Sequence, residues 1–193
     1  MRNALRRLAF GVLGTGMVIA ATMGVTAVTA NAATAAPHVT THHYKADYGK
    51  PPLLVWPTVM EGQYGNRVTT IQFLLNQSGF RVKVDGKFGS ATKKEVIAFQ
   101  KASHVYPADG VVRSDTWQAL ILTVKQGAKG DAVRAVQSYL KYAYGYKTLK
   151  VDGVFGPLTT AAVKSFQGMY HPPLTVDGIV GTSTWHTLVT KKA

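Results

Sequence analysis

Acidic side chains, which could take part in acid–base chemistry, are scarce in this chain of 193 residues. There are nine, and only two of them, Glu61 and Glu95, are glutamates. Glycoside hydrolysis needs two carboxyl groups held a defined distance apart across the sugar, and the pattern offers neither glutamate a partner. Four aspartates instead precede a glycine, a pair that is typical of tight turns: Asp85, Asp109, Asp152 and Asp177.

Metal and nucleophile chemistry are also poorly supported by the sequence. The chain contains no cysteine, which excludes disulfides, thiolate metal sites and cysteine nucleophiles. The six histidines lack the spacing of a zinc hydrolase, such as His-x-x-Glu-His, and serine-nucleophile motifs such as Gly-x-Ser-x-Gly are missing. His38, His42 and His43 lie close together, but a tail with incidental histidines explains them better than a metal site. The sequence therefore predicts a non-catalytic protein with no metal and no cofactor.

Aromatic and basic side chains are the best candidates for ligand binding. Aromatic faces can stack on sugar rings, and loops often carry binding residues. Four tyrosines cluster near the end of a predicted helix in the second half of the chain, and a fifth follows the next helix. The predicted ligand-binding residues are Tyr139, Tyr142, Tyr144, Tyr146, Tyr170, Lys147 and Arg81. An alternative is that the tyrosines seal a contact between the two halves of the chain.

These residues sit in a chain that repeats itself. The segment Val84–Gly89 reads Val-Asp-Gly-Lys-Phe-Gly, and Val151–Gly156, 67 positions later, reads Val-Asp-Gly-Val-Phe-Gly. In both copies a Phe-Gln pair follows, then a second Asp-Gly, then Thr-Trp-x-x-Leu. A repeat of this period is one structural unit used twice.

Each copy predicts three short helices joined by Asp-Gly turns. Apolar residues fall at helical spacing along the first helix of each copy: Val68, Ile71, Leu74 and Leu75 in one, Val133, Val136 and Leu140 in the other. Asn66 and Asp131 are predicted N-caps, and Gly79 and Gly145 predicted stops. Four glutamines could line a polar groove or hydrogen-bond the turns internally, and the internal role is expected: Gln72, Gln100, Gln137 and Gln167.

The start of the chain reads as an export signal. Arg2, Arg6 and Arg7 precede an apolar stretch, and Ala30-Asn31-Ala32 is a small-residue cleavage site. An uncleaved membrane anchor is the alternative, which the shortness of the apolar run disfavours. The predicted organisation is a signal peptide over 1–32, a flexible linker over 33–56, one domain over 57–122 and a second over 123–190.

The twice-repeated pattern D-G-x-F-G-x-x-T-x-x-x-V-x-x-F-Q, with its second Asp-Gly and Thr-Trp, resembles the peptidoglycan-binding domain of bacterial cell-wall hydrolases. The resemblance covers roughly 57–190 and implies an all-α fold of two tandem three-helix domains. One departure is Arg113, which stands where the second copy has Gly181, so the loop before that helix is expected to differ in shape.

The resemblance implies that peptidoglycan is the ligand. Together with the export signal and the lack of a catalytic constellation, it leads to the prediction of a secreted, non-catalytic protein that is extracellular or wall-associated. A formal net charge of +13 adds anionic wall polymers as partners, although lysines also simply solvate a secreted protein. The alternative function is a partner-binding protein that targets or regulates a separate wall hydrolase. Nucleic-acid binding, suggested by the basic pI near 10.0, conflicts with the export signal. No membrane span is expected after signal cleavage.

Overall fold

The computed structural model describes residues 54–171 and 173–191. The predicted signal peptide and most of the predicted linker lie outside these ranges. Within them the regular secondary structure is helical, with no strand, as predicted. The helices are α1 (Asn66–Gln77), α2 (Ser90–Ala102), α3 (Ser114–Leu120), α4 (Asp131–Ala143), α5 (Pro157–Met169) and α6 (Thr182–Thr190).

The first three helices form repeat 1 and the last three form repeat 2, each around its own apolar core. The predicted inner face of α1 is buried, with Ile71, Leu74 and Leu75 fully enclosed. Trp117 on α3 and Trp185 on α6 are likewise fully buried. Each indole N–H donates to a main-chain carbonyl just before the first turn of its own repeat, Pro57 O and Leu122 O, both at 2.8 Å.

Two isolated β-bridges close each repeat at equivalent places. Val59 pairs with Val112, and Val124 pairs with Val180. Tyr64 pairs with Lys87, and the corresponding pair in repeat 2 joins Lys129 to Val154. The segment before each first helix is therefore fastened to both Asp-Gly turns of its own repeat.

A buried glutamine organises each Asp-Gly turn. Gln137 Oε1 accepts the Gly153 N–H at 2.9 Å, and Gln137 Nε2 lies 2.9 to 3.1 Å from Asp152 Oδ1, Val154 O and Thr159 Oγ1. Gln72, Gln100 and Gln167 bond their own turns in the same way. The predicted internal role of the four glutamines is confirmed.

The predicted N-caps are wrong by one residue. Helices α1 and α4 begin at Asn66 and Asp131, and the caps are Gly65 and Gly130, with φ of 107° and 113° and no side-chain cap bond. Glycine adopts this positive φ without the strain that a side chain would bring, and the Gly65 N–H donates to Gly86 O. The carboxylate of Asp131 instead pairs with Arg134 at 2.7 Å.

The expected difference at Arg113 is also wrong. Arg113 has φ −112° and ψ −173°, and Gly181 has φ −91° and ψ −171°, so the two loops enter their helices alike. This backbone is extended, which any residue adopts, so a side chain costs nothing there. The Arg113 guanidinium uses its position to pair with Asp109 at 2.9 Å.

The two repeats meet mainly through α1 and α4, which run antiparallel. Gln77 at the end of α1 accepts the Ala132 N–H at the start of α4 at 3.1 Å, whereas Arg67 at the start of α1 lies beside Tyr139 near the end of α4. Between these ends, on the same side of each helix, Thr70 and Ala135 occupy equivalent positions and are both buried. Small side chains at such a crossing let two helices approach closely.

Trp56 joins both repeats from outside the repeated pattern. Its ring stacks on Trp117 of repeat 1 with centroids 5.8 Å apart, and His186 of repeat 2 meets it edge-on at 5.1 Å. His186 Nε2 also lies 3.0 Å from Val55 O. Trp56 is only 3% exposed, so the described end of the predicted linker, 54–56, contributes a buried side chain to the core.

We expect Gln137→Leu to lower the free energy of unfolding by about 3 kcal/mol, because the buried Gly153 N–H and the Thr159 hydroxyl lose their partner. Denaturant unfolding followed by circular dichroism measures this. Gln118→Leu, an exposed change of the same kind on α3, should stay within about 0.5 kcal/mol of wild type. Similar losses in both variants would contradict the role of the buried amide.

We expect Trp56→Ala to cost about 3–5 kcal/mol through lost burial and the cavity left behind. Val55→Ala, in the same segment but at a side chain that is 80% exposed, is the control and should change stability little. Thermal and denaturant melts of both variants provide the measurement. A Trp56→Ala protein as stable as wild type would show that this segment adds nothing to the fold.

Candidate ligand-binding cleft

A cleft of about 660 Å³ opens where the start of α1 meets the end of α4. Repeat 1 contributes the turn before α1 and its first residues, including Tyr64 and Arg67. Repeat 2 contributes Tyr139 and Tyr142 from α4 and Lys191 from the end of α6. Because both repeats supply walls, the cleft exists only when they are packed together.

Three tyrosines give the cleft its shape. Tyr64 and Tyr142 stand at its rim and are 86% and 65% exposed, whereas Tyr139 is 5% exposed and lies at its base. Rim rings of this kind present an apolar face to a ligand and keep a polar hydroxyl in water. The Lys141 ammonium lies 5.9 Å from the centroid of the Tyr142 ring.

The charges that line the cleft are positive. Arg67 and Lys191 contribute them, and no acidic side chain is among the described residues of the lining. Arg67 is held in place by donating from Nε to Val189 O at 2.6 Å. Burial raises the pKa of Tyr139, and the neighbouring Arg67 guanidinium only partly opposes this, so the hydroxyl remains a neutral hydrogen-bond donor.

The structure divides the seven residues predicted to bind ligand into two groups. Tyr139 and Tyr142 line the cleft. Tyr144 packs on Phe166 at 4.8 Å, and its hydroxyl lies 3.1 Å from the carbonyls of both Leu188 and Lys191. Burial raises the pKa of Tyr144 far above its usual range, so it is a neutral donor to the end of α6.

The other predicted residues lie away from this cleft. Tyr170 packs on Phe166 at 5.1 Å, and the Tyr146 hydroxyl donates to Ser165 Oγ at 3.1 Å. Lys147 and Arg81 are exposed and do not line the cleft. The prediction that these residues bind ligand stays a prediction, and so does the alternative that the tyrosines seal the contact between the repeats.

Sequence reasoning missed Tyr64, Arg67 and Lys191 as cleft residues. Each is an ordinary polar side chain next to a turn or a helix end, and their proximity depends on how the repeats pack. Tyr64 carried one usable signal, since it is an aromatic residue at a loop tip in repeat 1 where repeat 2 has Lys129.

The carboxylates of the Asp-Gly turns serve the turns themselves. In Asp85, Asp109 and Asp152 the pKa lies below its usual value, first because the backbone N–H two residues on donates to the carboxylate. Within 54–171 and 173–191, no three His, Asp or Glu side chains gather closely enough to hold a metal ion. In the same part of the chain, no helix is long and apolar enough to cross a membrane.

Fold and site together define a tandem-repeat helical protein with an open cleft suited to ligand binding. The family model described as "Putative peptidoglycan binding domain" matches the chain twice, over residues 64–120 and 129–188. The chain belongs to this peptidoglycan-binding domain family, and the predicted resemblance is confirmed.

Relatives that are similar to part of the chain include an amidase and a spore cortex-lytic enzyme. The N-acetylmuramoyl-L-alanine amidase CwlL of Bacillus licheniformis is 34% identical over 131 residues, which is 64% of this chain and 35% of the amidase. The spore cortex-lytic enzyme of Bacillus subtilis (strain 168) is 43% identical over 68 residues, 35% of this chain and 22% of the enzyme. This chain therefore spans about a third or less of the length of these enzymes.

Among solved structures, the N-terminal domain of SleB is similar to part of the chain. It is 44% identical, and the match covers 35% of this chain and 89% of that domain with a TM-score of 0.33.

The lowered pKa values of the turn aspartates predict acid sensitivity. A carboxylate whose pKa is lower in the folded than in the unfolded state stabilises the fold at pH values above its unfolded-state pKa, which is near 3.8. This stabilisation is lost as the pH falls toward the folded-state pKa. We therefore expect stability to fall as the pH is lowered from about 5 to 2. Denaturant midpoints measured across this range test it.

An Asp85→Ser, Asp152→Ser double variant should be less stable at pH 7 but should lose less stability on acidification. Serine retains an acceptor for the turn without the titrating charge. Asp115→Ser, which removes an exposed carboxylate outside the turns, should follow the wild-type pH profile. A double variant with the wild-type slope would contradict the assignment.

Proposed function

We propose that this protein is secreted, is not an enzyme, and binds peptidoglycan through two tandem modules outside the cell or in the wall. The observation that carries the proposal is the double match to the peptidoglycan-binding domain family over 64–120 and 129–188. Nearly all of the described chain is taken up by these two segments and the turns that connect them.

The lack of catalysis is supported by what the acidic groups do. A glycosidase needs one carboxylic acid with a raised pKa to protonate the leaving group. In the turns the backbone bonds shift the aspartate pKa the opposite way. Glu61 pairs with Lys93 at 2.9 Å, and Asp131 pairs with Arg134. These acids are committed to the fold, in keeping with a binding role.

Secretion is supported by the sequence of 1–32, where three arginines precede an apolar stretch and a small-residue cleavage site. The strong positive charge of the chain suits an environment of wall polyanions. Peptidoglycan, with anionic wall polymers as secondary partners, is the ligand that fits both features.

The alternative, a protein that targets or regulates a wall hydrolase, is favoured by one observation in repeat 2. Leu158, in the first turn of α5, and Val154, in the turn before that helix, are 75% and 45% exposed. Repeat 1 has Ala91 and Lys87 at these positions, so the apolar surface is particular to repeat 2.

Co-sedimentation tests the proposal. The purified protein without residues 1–32 is mixed with insoluble peptidoglycan stripped of teichoic polymers, at low and at high salt. We expect it to sediment in both, because contacts in a shaped cleft resist screening better than exposed charges do. A basic protein of similar pI without the domain is the control, and it should sediment only at low salt.

Two outcomes would contradict the proposal. Sedimentation only at low salt would mean that the attraction is a general charge effect. Protein that stays in the supernatant throughout would favour the partner-binding alternative. In that case a Leu158→Lys variant should lose its binding to a wall hydrolase.

A further inference from the structure

The antiparallel contact of α1 and α4 has two ends, which are related by the internal repeat. Different side chains occupy equivalent positions at these two ends. Offset by 65 positions, Ala132 corresponds to Arg67, and Tyr142 corresponds to Gln77. At the start of α4, Gln77 from the other repeat accepts the Ala132 N–H at 3.1 Å, and its Oε1 would lie 2.6 Å from a Cβ built on Gly130. The protein's own side chain therefore occupies this end.

The end at the start of α1 is open. Tyr142, the counterpart of Gln77, turns outward and is 65% exposed. Among the described residues, no side chain or main-chain acceptor bonds the Arg67 N–H, the counterpart of the bonded Ala132 N–H. The 660 Å³ cleft lies at this end.

A second feature of the cleft points to a ligand. Tyr139 lies at its base with its hydroxyl beside the Arg67 guanidinium, and this O–H donates to no acceptor among the described residues. The cleft therefore brings together several hydrogen-bond donors and positive charges. They are the Tyr139 O–H, the free main-chain N–H of Arg67, and the charged side chains of Arg67 and Lys191.

These donors favour an anionic group, and the aromatic rings at the rim favour a sugar as the molecule that carries it. Charge-assisted hydrogen bonds from guanidinium and hydroxyl to carboxylate or phosphate are stronger than neutral ones. Tyr64 and Tyr142 offer two exposed rings on either side, which suit the apolar face of a sugar. Such a cleft fits a saccharide with a carboxylate or phosphate beside its ring.

We propose that the protein has one ligand site per chain, in the cleft between its repeats, and that this site takes a saccharide segment bearing an anionic group. This proposal rests on the proposed function. It differs from an arrangement in which each repeat has a binding site of its own. Two wall components carry this chemistry: peptidoglycan, through its peptide-stem carboxylates, and phosphate-containing wall polymers.

Titration calorimetry of the protein without residues 1–32 distinguishes these sources and counts the sites. One arm uses soluble fragments of peptidoglycan free of teichoic polymers, and the other uses purified teichoic polymer. We expect saturation at one fragment per chain. Tighter binding in the first arm assigns the carboxylate, and tighter binding in the second assigns the phosphate.

Three variants test the location of the site. Tyr139→Phe keeps the ring and removes the donor, so we expect roughly tenfold weaker binding. Tyr142→Ala should weaken binding about three- to tenfold through the lost ring. Tyr142→Gln copies Gln77 onto the open end, and we expect it to cap Arg67, close the cleft and abolish most binding without loss of stability.

Tyr106→Ala is the matched control, since this tyrosine is 70% exposed and lies outside the cleft. It should bind like wild type. Thermal melts exclude misfolding, and co-sedimentation isotherms with insoluble peptidoglycan repeat the comparison on the intact polymer.

The outcomes separate this inference from the proposed function. Two fragments per chain, or wild-type affinity in both Tyr139→Phe and Tyr142→Gln while the wild type binds, would overturn the inter-repeat site and leave wall binding intact. A wild-type protein that binds neither fragments, teichoic polymer nor insoluble peptidoglycan would overturn both.

Discussion

The hydrogen bonds of a buried glutamine to an Asp-Gly turn are the constraint on which the fold depends. A glycine at positive φ reverses the chain, and the turn leaves main-chain groups inside the protein that need partners. One amide on the preceding helix meets both needs, with Oε1 for the glycine N–H and Nε2 for the carbonyl and threonine beyond it. The arrangement occurs four times, twice in each repeat, so each repeat is itself built from two similar helix–turn units.

Contact between the repeats supplies what each lacks alone. A unit of about 60 residues buries only about 60% of its unfolded surface and is marginal. Here α4 buries two faces: Val133 and Val136 point into repeat 2, and Ala135 lies on the side toward α1. Trp56 adds a third contact by packing on both Trp117 and His186. Both repeats consequently belong to one compact unit.

Periodicity in the sequence was enough to predict the helices and their buried faces, because burial of Ile71 or Trp117 is decided within one repeat. The entry to α1 was not predictable to the residue, since the cap at Gly65 is fixed by a distant bond to Gly86 O. The glycine in the other copy predicts a different loop shape at Arg113, but the backbone is extended at both positions and needs no glycine. The cleft could not be predicted at all, because Arg67 and Tyr139 meet only through the packing of the repeats.

Departures from internal symmetry are where a duplicated protein can gain a property that neither copy has. At most equivalent positions the two repeats have the same kind of residue, and these shared residues form the turns and the cores. Gln77 and Tyr142 occupy equivalent positions and do opposite things: the amide fills one end of the interface by capping α4, and the ring leaves the other end open. A glutamine at both ends would close the molecule symmetrically and remove the cleft. The difference between these two side chains therefore separates a purely structural contact from one that holds a cavity lined by cations and aromatic rings.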